Sequence, residues 1–207
     1  MTNEGLDFRA TKDIDLVFVV EAITNDFVNK FWDYINNGEY RIKEKSSGKK
    51  IFYRFSKPEK KEFPEMIEIF SINSNILEIS FNQRIIPVIS DKGLESLSAL
   101  LLEKSYYDII ISRKKYIDDI PIVDEICLII LKIKAYLDLS ERKRNGELID
   151  NNDINKHKKD VFRLYFALNG SEKLSVPEEI KQTIRHFLIE IKNDQQVLNS
   201  ICKVMDV

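Results

Sequence analysis

Near the start of the chain, Asp13 and Asp15 are separated by one isoleucine and run into the apolar stretch Leu16 to Val20. Residues two apart on a strand project to one face, with Cα atoms ~6.6 Å apart, so both carboxylates can converge on a divalent cation. Magnesium suits such hard oxygen donors, because it takes one or two protein carboxylates and keeps room for water and phosphate oxygens. A third acid on a neighbouring strand would complete the arrangement that holds metals for phosphoryl and nucleotidyl transfer. Glu68 is the best candidate, since it lies between Ile67 and Ile69 and shares its face with neither. The same alternation also describes the charged end of any half-exposed strand, and Glu78 sits in a similar setting.

The elements that must position these residues follow from pattern. Leu16 to Val20 is a short β-branched run, predicted as a strand covered on both faces. Phe27, Phe31, Tyr34 and Ile35 recur at helical spacing after the possible caps Thr24, Asn25 and Asp26, with Asn37-Gly38 as the stop. Tyr40 to Lys45 and Ile51 to Ser56 alternate in polarity about Ser46 to Lys50, which predicts a hairpin. Glu65 to Ser71 and Ile76 to Asn82 read as two further strands. Lys92 to Lys104 reads as helix and Tyr106 to Ser112 as a strand or extended connection.

The second half is predicted to be mainly helical. Pro121 and Asp124 open an amphipathic segment from about Val123 to Arg144, followed by Gly146. Another helix runs from a cap near Asn152 or Asp153 to Asn169-Gly170, and a third has Pro177 in its first turn with acids behind it. A last short helix is expected over roughly Gln195 to Val204. The halves divide at 1–118 and 119–207, with no flexible linker between them and the helical part packed on the core.

Composition limits the function. The 207 residues are 43% hydrophobic and 32% charged, with a net charge of −2. That allows a real core and excludes a bulk basic nucleic-acid binder, leaving local clusters such as Lys156 to Lys159 for any RNA contact. Two cysteines without a C-x-x-C motif and two distant histidines give no zinc pattern and point to a reducing cytoplasm. The most apolar run, Ile126 to Leu137, is broken by Lys132 and Lys134, so no bilayer span is predicted.

Two stretches carry a family resemblance. Phe8 to Val17, FRATKDIDLV, resembles the catalytic strand of nucleotidyltransferase-fold toxins of the abortive-infection (AbiEii-type) family, in which an R-x-[ST]-x-D-[IL]-D run holds the metal-binding pair. Phe63 to Ser71, FPEMIEIFS, resembles the strand that brings the third acid in related proteins. Leu128 to Leu164 resembles the long helical region of one bacterial branch, with its lysine-bearing helix and later aspartate-bearing helix. The resemblance spans most of Phe8 to Leu168.

It implies an α+β fold, with a nucleotidyltransferase-like mixed sheet, flanking helices and a helical C-terminal half. It implies Mg²⁺-dependent transfer of a nucleoside monophosphate from an NTP to an acceptor such as tRNA, and a cognate antitoxin as partner. By the same resemblance Asp13, Asp15 and Glu68 hold the metal, Lys132 faces the nucleotide or acceptor, and Asp160 is the acid of the last catalytic helix. Arg9 and Thr11 match the lead-in to the strand and would hold phosphates or brace the turn; Lys156, from the basic cluster rather than the resemblance, is a further candidate substrate contact. Taken by their surroundings alone, Lys132 would snorkel from an apolar helix and Asp160 would be a surface charge or an i,i+4 partner of Lys156.

The superfamily normally carries a Gly-Gly or Gly-Ser turn, after a helix, ahead of the aspartate pair, where backbone N–H groups cradle phosphates. Ahead of Phe8 this sequence has only Gly5. The expectation is therefore a truncated start, a subunit that supplies the missing part, or a binding module of the same fold without catalysis. An α+β RNA-binding protein that uses the basic clusters is a third, different reading.

Overall fold

A computed structural model of the chain describes residues 12–19, 24–44, 50–72, 85–88, 97–166, 168 and 173–192. Two units are distinguished, within Arg9–Tyr107 and within Asp108–Val207. The fold is α+β, with a mixed sheet, flanking helices and a C-terminal helical region.

In the first unit β4 (Met66–Ser71) organises the sheet. It takes β1 (Asp13–Phe18) in parallel along its whole length. Its other edge is shared: β3 (Lys50–Ser56) pairs antiparallel with Met66 to Glu68, and β6 (Leu97–Leu101) pairs in parallel at Phe70 and Ser71. β2 (Arg41–Glu44) lies beyond β3 and β5 (Ile85–Val88) beyond β6, both antiparallel, so six strands make the sheet among the described residues. At the start of the β1–β4 pairing the Glu65 N–H donates to the Lys12 carbonyl (2.8 Å), and Lys12 pairs with the Glu65 carboxylate (2.6 Å).

One face of this sheet is the core. Tyr53, Phe55, Ile67, Ile69 and Phe18 pack with Val28, Phe31 and Ile35 of α1 (Asn25–Gly38). Phe55 is fully buried, with Phe31 and Trp32 edge-on to its ring at 5.6 and 5.7 Å. The alternation that buries these residues necessarily sends Arg54 and Glu68 to the opposite face. α1 starts as read, with the Thr24 side chain accepting from the Phe27 N–H (3.2 Å).

Its end differs in mechanism from the expectation. The left-handed residue is Glu39 (φ 54°), not Gly38, and the Glu39 and Tyr40 N–H groups close the last turn on Asn36 and Ile35. Gly38 is there for space: a Cβ would stand 2.6 Å from Tyr40 Cε2 and 2.8 Å from Phe63 Cδ1. The Tyr40 ring cannot easily yield, because its hydroxyl donates to the Pro64 carbonyl (2.6 Å); burial also pushes that hydroxyl's pKa up. Gly38→Ala, which in an open helix would gain about 1 kcal/mol, is therefore expected to cost about 1–3 kcal/mol. Urea unfolding followed by Trp32 fluorescence checks this, and an unchanged or raised midpoint would refute it.

Two expected elements exchange identity. Leu97 to Leu101, expected in a helix, is β6, because both of its edges find strand partners, which outweighs the helix preference of Leu and Ala. Tyr106 to Ser112, expected to be extended, belongs to α2 (Lys104–Ser112), which straddles the division between units. There Tyr106, Ile109 and Ile110 fall at i, i+3, i+4 spacing, share one helix face and are buried. The Ile76 to Asn82 strand, Glu78, the Ser46 to Lys49 turn, Asn169-Gly170 and the Gln195 to Val204 helix lie outside the described residues.

In the second unit β7 (Lys114–Ile117) and β8 (Ile120–Val123) form an unforeseen hairpin. Its two-residue turn, Asp118-Asp119, has positive φ at both positions (48° and 63°), the twist that matches hairpin strands. Pro121 thus sits in a strand rather than at a helix start. Asp124 caps α3 (Glu125–Arg144): its side chain accepts from the Cys127 N–H (2.8 Å) and from Arg113 Nε (2.5 Å). Lys115 binds Glu125 at 2.8 Å, a hydrogen bond that holds that carboxyl below its ordinary pKa. Burial pushes the Cys127 thiol up to about 12, so it is chemically quiet.

α4 (Asn151–Phe166) starts slightly earlier than expected, with the Asp150 side chain accepting from the Asn152 N–H (2.9 Å). α5 (Glu178–Lys192) follows directly on Pro177, whose carbonyl accepts from the Lys181 N–H. Ile133 and Leu137 of α3, Val161 of α4, and Phe187 and Ile191 of α5 make one buried cluster.

Candidate functional site

The aspartate pair opens β1, so the strand begins before the apolar run rather than at Leu16. Asp13 and Asp15 are exposed, while burial deepens along the strand to Phe18. Register then does what the sequence could not specify. Asp15 stands directly beside Glu68, and Glu68 directly beside Arg54 on the far strand. Laterally paired residues share a face, so Asp15, Glu68 and Arg54 form a row across three strands, with Asp13 at the strand mouth on the same side. Ile14, Leu16, Ile67, Ile69 and Phe55 occupy the other side.

Within the row Glu68 is already engaged. Arg54 Nε lies 2.5 Å from Glu68 Oε1, with the Glu68 side chain 13% exposed and that of Arg54 38%. Arg54 is a functional candidate that sequence reasoning missed. Its signal was present: in Tyr53-Arg54-Phe55 the only polar residue falls on the face opposite two core aromatics.

The donor chemistry of Asp13, Asp15 and Glu68 is all hard oxygen and fits magnesium, and the backbone brings Asp15 and Glu68 side by side. Among the described residues, however, no three His, Cys, Asp or Glu side chains are gathered into a group that could hold a metal ion. Glu68, the expected third carboxylate, is turned to Arg54.

Lys132 and Asp160 belong to the other unit, and there the fold brings them together. Lys132 Nζ on α3 lies 3.7 Å from Asp160 Oδ2 on α4, and Arg163 Nη1 lies 3.7 Å from Asp160 Oδ1. Asp160 is 6% exposed, so neither a helix-surface charge nor an i,i+4 pair with Lys156 describes it. Lys156 instead pairs with Asp153 at 2.9 Å. The basic run Lys156 to Lys159 is not one solvated face: Lys158 is buried, with its ammonium 6.0 Å from the centre of the Tyr136 ring. Arg9 and Thr11 lie outside the described residues. No described helix is long and apolar enough to cross a membrane.

Comparisons of this chain with protein-family models, with curated proteins and with solved structures return no match. The class that the fold defines is therefore α+β, with a carboxylate row on one sheet face.

Proposed function

We propose that the chain is a nucleotidyltransferase-like protein of the AbiEii toxin type, which moves a nucleoside monophosphate from an NTP to an acceptor such as tRNA. The observation that carries this reading is the β1–β4 register, which sets Glu68 beside Asp15 on the face that also bears Asp13. Asp13 and Asp15 would hold Mg²⁺, with Glu68 as third ligand. Bound there, the ion would lower the pKa of the attacking hydroxyl and neutralise phosphate charge. The resemblance assigns Lys132 to the triphosphate and Asp160 to orientation. Within their own unit Lys132 Nζ lies 3.7 Å from Asp160 Oδ2.

The test is incubation with each labelled NTP, Mg²⁺ and total tRNA. Transfer of label to RNA is expected for at least one nucleotide, and no transfer with any of them refutes catalysis. A second reading, a nucleotide-binding module of the same fold that acts through a protein partner, is favoured by the Arg54–Glu68 pair, which occupies the third carboxylate. Calorimetric binding of Mg-NTP without turnover would select it.

A further inference from the structure

We infer that the free edge of β7 is a self-association surface, and that its occupant is the β7 strand of a second copy of this chain. The β7–β8 hairpin is anchored at its base, where the Asp124 N–H donates to the Arg113 carbonyl (3.2 Å) and Lys115 bonds Glu125. Beyond that base Tyr116, Ile117 and Ile120 are 62%, 50% and 63% exposed. Among the described residues no third strand joins the pair, and two strands alone are marginal in water.

The two edges of the hairpin are not equivalent. Ile117 and Ile120 flank the two-residue turn, so they exchange the hydrogen bonds that close it. At the next pair, Tyr116 and Pro121, the backbone groups therefore point away from the hairpin. On the β8 side that outward position is a proline with no N–H to give, which blocks the edge. On the β7 side it is Tyr116, which offers both an N–H and a carbonyl. Two copies of this edge can meet antiparallel about a two-fold axis, with Tyr116 opposite its own copy and both hydrogen bonds exchanged.

Charge selects a second copy as the strand that fits. Lys114 to Asp119 reads Lys-Lys-Tyr-Ile-Asp-Asp, basic at one end and acidic at the other, so it complements itself when antiparallel. Side chains keep their face across such an axis, and the register centred on Tyr116 sets Lys114 of each copy opposite Asp118 of the other. Lys115 and Asp119 become diagonal neighbours on the other face, as do the two exposed Ile117 side chains. The Lys114 ammonium lies 5.4 Å from the centre of the Tyr116 ring, on the face where the opposing Asp118 would arrive. The result is one four-stranded sheet in the order β8–β7–β7–β8, shared by two chains.

A pairing of this size belongs to small, reversible interfaces. Sedimentation velocity of the full chain, over about two decades of micromolar concentration, is expected to show growth from one 24.3 kDa chain to two. A wild-type chain that stays monomeric throughout overturns the inference. Tyr116→Pro closes the β7 edge as Pro121 closes the other, and is expected to weaken association about tenfold or more. A dimer that survives this change intact is built elsewhere, which also overturns it. Lys114→Asp and Asp118→Lys, each alone, bring like charges together and are expected to weaken association about tenfold. Mixed in equal amounts, the two variants regain opposite charges in a heterodimer, which should form with near wild-type affinity. Far-UV circular dichroism establishes that each variant is folded, and no recovery in the mixture then refutes the pairing.

Discussion

On the proposed nucleotidyltransferase reading, replacing Asp15 with Asn is expected to lower nucleotide transfer by on the order of 10²–10³-fold, the cost of removing one preorganised group that stabilises transition-state charge. The fold should survive the change. Asn has nearly the same shape, Asp15 is exposed, and the β1–β4 ladder is built by backbone groups. Activity lost while stability holds is the signature of a ligand rather than a scaffold residue. Initial rates with the preferred NTP, together with a thermal melt, measure both. Transfer at the wild-type rate would remove Asp15 from the reaction, and a collapsed melt would reassign it to the fold.

Phe187→Ala is expected to cost about 3–5 kcal/mol, the usual range for emptying a large aromatic site in a core. Phe187 is 1% exposed. Tyr136 of α3 meets its ring edge-on at 5.3 Å, and Phe162 of α4 lies tilted at 6.3 Å, so one side chain of α5 braces both helices. The same two helices carry Lys132 and Asp160, whose 3.7 Å separation depends on how α3 lies against α4. The variant should therefore lower the urea midpoint seen by far-UV circular dichroism. Trp32, the single tryptophan, reports on the sheet core of the other unit in the same experiment. A circular dichroism midpoint within error of wild type would show that the site collapses without cost and would refute the bracing role.

The parts of the fold legible in the sequence are those set by neighbours along the chain. Thr24 ahead of a helical apolar period, Asp124 ahead of Glu125, and Pro177 ahead of two acids each mark a helix start, because capping is local chemistry. The α1, α3, α4 and α5 helices were readable on that basis, and the β3 and β4 strands from their alternating polarity. Where local preference and lateral pairing disagree, the sequence misleads. Leu97 to Leu101 carries helix formers yet becomes β6 between two strands, and the isoleucine run after Tyr106 carries strand formers yet coils into α2. The Asp118-Asp119 turn was invisible because it uses left-handed conformations without the glycine that normally announces them.

For the site, the sequence by itself determined that Asp13 and Asp15 share a face, since two-residue alternation is a property of any strand. It also set Glu68 apart from its isoleucine neighbours and put Lys132 on an apolar helix. Only the tertiary structure decided that Asp15 stands beside Glu68, that Arg54 closes on Glu68 from the next strand, and that Lys132 meets a buried Asp160. Those partners are distant along the chain, and register is chosen by whole faces packing rather than by any residue's own preference. A slip of one residue between β1 and β4 would bury the aspartates and expose Leu16 and Phe18, so the core that seats Ile67 and Ile69 also places the carboxylate row.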